Sequence, residues 1–183
     1  MKRQNIVHLT QTALMTAMLI VLGMIPGIPL GFIPVPIVLQ NMGVMMAGEL
    51  LGPKEGTTSV ALLLFLVAVG FPFLTGGSGG IAVFAGPTGG YLLAWLFTPL
   101  LIGSLRRHFG GSWNWWQEFL MVIVAGVVFI DVTGSVWLSW QSHMTLAAAL
   151  MSNLAFIPGD LIKAGVAVAI ARQLRSVPTL NLD

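Results

Sequence analysis

The chain has 183 residues, 56% hydrophobic and 8% charged, with a mean hydropathy of +0.92 and a formal net charge of +2. A soluble domain carries about 25% charged residues, so this chain has too little polar surface to coat a globule and reads as an integral membrane protein. The slight positive charge, scattered in pairs, leaves no nucleic-acid footprint, and the lack of cysteine excludes disulfides, thiol chemistry and cysteine-ligated metal.

The apolar runs are long and do not alternate, which predicts an all-α membrane protein rather than a barrel. Gly, Pro and charged residues divide the chain, residues 1–183, into a single domain of six transmembrane helices. The first covers residues 8–25. Lys2-Arg3 before it gives the look of a signal peptide, but no small-residue cleavage site follows, so it reads as an uncleaved first helix. A proline-rich loop continues to Pro36, and the second span covers 37–51, stopping at Gly52-Pro53-Lys54-Glu55. The third covers 57–71 and gives way to a glycine-rich stretch over 72–80. The fourth covers 86–105, ahead of Arg106-Arg107-His108, and the fifth 118–140. An Ala-rich stretch over 145–154 predicts a short outer helix, because Pro158-Gly159 disfavours a helix interior while Pro is tolerated in a first turn. The sixth span then covers 158–173.

Basic residues test this scheme, since cytoplasmic loops carry an excess of Lys and Arg. With six spans and both termini cytoplasmic, Lys2, Arg3, Lys54, Arg106, Arg107, Arg172 and Arg175 all fall on the inner side, and the three outer loops hold none. Five or seven spans spoil the agreement. Trp113, Trp115 and Trp116 flank the inner face, and Trp137 and Trp140 the outer, as interfacial anchors do.

The eighth cation is different. Lys163 lies inside an apolar segment, where a charge costs several kcal/mol unless it is paired, hydrated or snorkelling. Asp160, three residues earlier, shares its helical face. The pair reads either as an internal salt bridge that fixes packing or as a ligand site, in which Asp160 accepts hydrogen bonds and Lys163 donates them. Two glycine clusters, over 76–80 and 86–90, fit either the wall of an outer pocket or close helix packing. They form no Walker A loop, because no Gly-Lys-Ser/Thr follows. Gln40 and Asn41 open an apolar helix on the same side and can serve a ligand, a cap or a neighbouring helix. Asp131, inside the fifth span, reads as pocket wall, proton path or structural hydrogen bond, and Glu49 lies near the inner end of the second. His8, His108 and His143 offer no metal-ligand spacing, and no nucleophile with a base appears, so neither metal binding nor catalysis is expected. Ala13 and Ala17 give the first span a small-xxx-small face that another helix can approach.

Gly86-Pro87-Thr88-Gly89-Gly90-Tyr91 and Pro158-Gly159-Asp160-Leu161-Ile162-Lys163, supported by Val35-Pro36-Ile37-Val38-Leu39-Gln40, give the chain its resemblance to the BioY family. These are the substrate-binding (S) components of energy-coupling-factor (ECF) biotin transporters, and the resemblance spans nearly the whole chain. It departs at Val38, where the family pattern often has Thr, so this loop is less polar. The resemblance implies an S-component-like six-helix protein, not an enzyme, that binds biotin near the outer face and needs no cofactor. It implies a transmembrane coupling protein (EcfT-like) and two cytoplasmic ATPases (EcfA-like) as partners, with Ala13 and Ala17 as the docking face, in the cytoplasmic membrane of a prokaryote. For biotin, Asp160 suits the ureido N–H groups, and Lys163 the ureido carbonyl or the carboxylate. Gly86, Thr88, Gly89, Gly90, Tyr91 and Gln40 are expected around the ligand, with Phe32 and Trp137 packing on its apolar rings. An S component for another vitamin and a stand-alone biotin carrier are the alternatives. An intramembrane acid–base dyad of Asp131 and Asp160 is disfavoured, because Lys163 already accounts for Asp160.

Overall fold

The computed structural model describes residues 2–32, 34–109 and 113–177, with side chains from Asn5 onward. The side chains of Lys2 and Arg3 therefore lie outside the described residues. The described chain is helical, with two isolated antiparallel bridges, Ile28 with Ile37 and Leu74 with Ser78, and no strand. In order the helices are α1 (Lys2–Met24), α2 (Gln40–Val69), α3 (Ala82–Ala85), α4 (Gly89–His108), α5 (Trp115–Val122), α6 (Phe129–Gln141), α7 (Leu146–Asn153) and α8 (Ile157–Arg175).

Among the described residues three helical segments are long and apolar enough to cross a membrane: Asn5–Met24, Gln40–Val69 and Trp115–Gln141. The bent pair α7 and α8, at 54°, makes a fourth when counted as one span.

The segments expected at 37–51 and 57–71 join in the continuous assignment α2, but the chain is broken between them. Gly52 sits at φ 75°, ψ −169°, and Pro53 follows. The left-handed φ suits glycine, and Pro53 can donate no helical hydrogen bond. The two halves fold back closely: a Cβ on Gly56 would lie 2.4 Å from the Ala47 carbonyl oxygen. Residues nine apart in a straight helix would be about 13 Å apart along the axis.

Helix α4 packs along α2 as the most extensive pair in the fold. Glycine permits the approach: a Cβ on Gly103 would lie 2.4 Å from Pro53 N, and one on Gly48 2.8 Å from the Ile102 side chain. Small residues that let backbones meet are the usual means of packing helices in lipid, where no hydrophobic drive separates helix from solvent.

The segment from α5 to α6 opens with a capping box, Asn114 and Gln117 exchanging side chain-to-backbone bonds of 2.9 and 3.0 Å. It passes through a π-helical stretch, Ile123–Val128, before α6 begins. The helix in the region expected at 86–105 starts at Gly89, because Gly86 to Thr88 make the turn into α4.

One end of the bundle is closed by a buried ion network that joins α2, α4, α5 and α8. Glu49 and Glu118 are almost wholly buried, at 2% and 1% exposure. Arg106 donates to both, at 3.1 Å to Glu49 Oε2 and 2.6 Å to Glu118 Oε1. Arg172 donates to Glu118 Oε2 at 2.7 Å and to the Trp113 carbonyl at 3.0 Å. Arg175 bridges the two acids, donating to Glu49 Oε2 at 2.8 Å and also to Glu118 Oε1. Breaking a buried pair from one side strands its partners. Glu118→Ala is therefore expected to cost about 3–5 kcal/mol, read as a lower thermal unfolding midpoint in detergent. Arg172→Ala should cost less, because its side chain is 39% exposed.

Candidate functional site

At the opposite end of α8 lies a cavity of about 220 Å³. The proline-rich loop, from Pro34 to Val38, forms one wall, and the glycine-rich loop contributes Thr75 and Ser78. Thr88 comes from the turn before α4, and α4 supplies Tyr91, Leu92 and Trp95; α6 supplies Asp131; Phe156 just precedes α8, whose first turns supply Asp160 and Lys163. A mostly apolar cleft with a few convergent polar groups is the usual form of a small-molecule site.

Asp160 and Lys163 are both in this wall and both buried, at 2% and 6% exposure. They form an ion pair along one helical face. Lys163 also donates to the Val38 carbonyl at 2.9 Å, a bond that ties α8 to the loop 125 residues earlier in the chain. That carbonyl is held in place by the adjacent bridge, in which Ile28 and Ile37 exchange backbone bonds of 3.0 and 2.9 Å. Pro158 occupies the first turn of α8, where its missing N–H costs nothing.

Tyr91 lines the cavity and donates its hydroxyl proton to Asn153 Oδ1 at 2.8 Å. Asn153, 3% exposed, spends its amide protons on the Asp131 carbonyl (2.9 Å) and on Ser135 Oγ (2.8 Å). One residue of α7 thus clamps α4 to α6. The Tyr91 ring lies flat on α6 because Gly134 leaves it room; a Cβ there would sit 2.2 Å from a ring carbon.

The other expected contacts separate into two groups. Thr88 and Tyr91 face the cavity, and Gln40 borders it. The Gln40 amide, however, donates to the carbonyls of Leu19 (3.1 Å) and Phe73 (2.9 Å), so it works as a tether between α1, the glycine-rich loop and α2. Phe32 is 66% exposed and is not part of the cavity wall. Trp137 lies against a separate apolar hollow with Leu64, Phe84 and Leu93, and its indole N–H donates to the Gly86 carbonyl at 2.8 Å. Gly89 and Gly90 make room for this tryptophan: a Cβ on Gly90 would fall 2.1 Å from the Trp137 Cβ. Gly86, Gly89 and Gly90 therefore serve packing and the turn into α4, not the cavity surface. Trp140 is exposed, consistent with an interfacial anchor. Among the described residues no group of His, Cys, Asp and Glu is arranged to hold a metal ion.

Several wall residues carried no sequence signal as site members. Trp95 donates to Asn41 Oδ1 at 2.6 Å, which positions both at the cavity edge. Neither Trp95 nor Phe156 stands out in an apolar helix read one residue at a time.

Comparison with known proteins decides the relationship. A family profile described as "BioY family" matches residues 1–179. The chain belongs to the BioY family. It is 56% identical over 174 residues to the biotin transporter BioY of Lactococcus lactis subsp. cremoris, covering 94% of this chain and 92% of the relative. The biotin transporter BioY of Rhizobium etli is 41% identical, with 90% of each chain covered. A solved crystal structure, that of the S-component for biotin from an ECF-type ABC transporter, superposes with a TM-score of 0.95 at 54% identity, covering 100% of this chain and 97% of the other. The BioY-family chain is thus a membrane protein with the S-component fold.

The Tyr91–Asn153 clamp gives a direct test. Tyr91→Phe leaves Asn153 Oδ1 buried without its donor and is expected to lower stability by about 1–3 kcal/mol, measured by thermal unfolding in detergent. Trp140→Phe, at an exposed site, should change the midpoint little.

Proposed function

We propose that this BioY-family chain is the high-affinity biotin-binding S component of an ECF-type ABC transporter for vitamin uptake. The observation that carries the reading is the buried Asp160–Lys163 pair set in the wall of a small-molecule cavity. A structural pair needs no empty space beside it. Here the two charges border a cleft of about 220 Å³, the scale of a compact vitamin. Biotin offers a urea ring with two N–H donors and a carbonyl, an apolar thioether ring and a carboxylate tail. Asp160 accepts from the ring, Lys163 donates to a ligand oxygen, and Thr88 and Tyr91 complete the polar set. Leu92, Trp95 and Phe156 take the apolar contacts first sought in Phe32 and Trp137.

The proposed topology has six crossings: α1, the two halves of α2, α4, the α5–α6 segment, and α8 with α7 as its bent outer cap. Both termini are then cytoplasmic. The arginine network and Lys54 lie inside, and the cavity opens toward the outer face. The protein works in the cytoplasmic membrane of a prokaryote, with an EcfT-like coupling protein and two EcfA-like ATPases. Ala13 and Ala17 support the docking assignment, since both are exposed on α1 while Thr12, Met15, Thr16 and Leu19 turn inward. The chain binds and delivers but performs no chemistry on its cargo.

Calorimetry of the detergent-purified protein against biotin tests the reading. Asp160→Ala and Lys163→Ala are each expected to weaken binding about 100-fold or more, because each leaves a buried charge unpaired as well as removing a ligand contact. Phe32→Ala should bind as the unaltered protein does. Unchanged affinity in both pair variants, or tighter binding of another vitamin, would count against the assignment. For the docking face, Ala17→Trp should keep biotin affinity but lose co-purification with the coupling protein.

A further inference from the structure

We propose that Asp131 is a specificity-determining contact of the same cavity, its carboxylate accepting a ring N–H of the bound vitamin and turning the ligand's own carboxylate away from that wall. The inference rests on the biotin reading above.

Asp131 lies on α6 and borders the cavity, at 8% exposure. Only its backbone carbonyl is engaged, accepting from Asn153 Nδ2 at 2.9 Å. Among the described residues its carboxylate has no hydrogen-bond donor and no cation within ion-pair distance. Asp131 is itself a residue of the cavity wall, so its carboxylate is within reach of a ligand held there. Every other buried acid among the described residues is met by a cation: Glu49 by Arg106 and Arg175, Glu118 by three arginines, Asp160 by Lys163. A buried polar group left without a partner costs free energy, so an open carboxylate in a ligand cavity is an acceptor awaiting a donor.

The surroundings hold it there. The π-helical stretch ends at Val128, three residues before Asp131, and such turns recur at functional sites. Asn153 clamps the Asp131 carbonyl, and Gly134, one turn on, seats the Tyr91 ring. Lys163 is already committed to Asp160 and to the Val38 carbonyl. The wall thus presents two carboxylates and one ammonium. That balance favours an uncharged ligand donor beside Asp131 and opposes a ligand carboxylate there. A urea ring supplies two such donors, so Asp160 and Asp131 can each accept one.

The test compares biotin with two analogues, each methylated on one ureido nitrogen, by calorimetry in detergent. Asp131→Ala should weaken biotin about 10- to 100-fold, the range of a hydrogen bond to a charged group. Asp131→Asn, which keeps an acceptor oxygen without the charge, should lose less. One of the two methylated analogues, lacking the N–H that Asp131 accepts, should bind Asp131→Ala and the unaltered protein within about 2-fold, the behaviour of a coupled pair in a double-mutant cycle. An equal loss for biotin and both analogues would mean that Asp131 only supports the fold, and would overturn the inference, as would unchanged biotin affinity. Should Asp131→Ala aggregate, the same comparison is read from Asp131→Asn. If the unaltered protein binds no biotin, the functional reading fails and this inference falls with it; if it binds biotin and the cycle shows no coupling, only this inference falls.

Discussion

A charge inside an apolar helical bundle must find its partners within the bundle, and that constraint organises this protein. At one end Glu49 and Glu118 meet Arg106, Arg172 and Arg175, and four helical elements are drawn together around them. At the other end Lys163 is satisfied by Asp160 and the Val38 carbonyl, which pins the proline-rich loop to α8. The two solutions differ in what they leave over. In the first, both acids are buried and each is met by cations. The second borders a cavity, with the Asp131 carboxylate open beside it. Structural ion pairs close a fold, whereas a cavity lined by charge offers interactions that only a ligand completes.

Of the two jobs the glycine clusters allow, Gly89 and Gly90 take close packing. Gly89 and Gly90 accept the Trp137 side chain, Gly134 accepts the Tyr91 ring, and Gly48, Gly56 and Gly103 let α2 and α4 meet. Without a hydrophobic force between helices in lipid, close contact carries much of the association. The cavity is bounded instead by the side chains that these contacts bring into position. Tyr91 shows the connection: its ring rests on Gly134, its hydroxyl is fixed by Asn153, and it lines the cleft. Packing and recognition are therefore consecutive steps in one chain of contacts.

The candidate site was visible in sequence where polarity contradicts its surroundings. Lys163 in an apolar run, with Asp160 three residues away, needs no tertiary information to be noticed. Thr88 and Tyr91 came from the resemblance, and both face the cavity. The apolar half of the site was not legible. Phe32 points outward and Trp137 lies against another hollow, while Leu92, Trp95 and Phe156 take the wall positions. One aromatic residue in an apolar helix looks like any other, because its periodicity says which face is buried but not against what. The arginine network was missed for a related reason. Arg106, Arg172 and Arg175 read as the basic ends of apolar segments and lie in the last turns of α4 and α8, but nothing in their spacing reveals that two distant glutamates converge on them.

By itself the amino-acid sequence determined that the chain is a helical membrane protein, that a helix breaks at Gly52-Pro53, and which ion pair is out of place in an apolar helix. These follow from local quantities: hydropathy, the dihedral limits of Gly and Pro, and the cost of an unpaired charge. Tertiary structure alone decided that Gln40 is a tether, that Gly90 and Gly134 make room for aromatic rings, and that the Asp131 carboxylate has no partner among the described residues. Those outcomes depend on which helix lies beside which, and contacts between residues 21 to 125 positions apart leave no periodic trace in a single sequence.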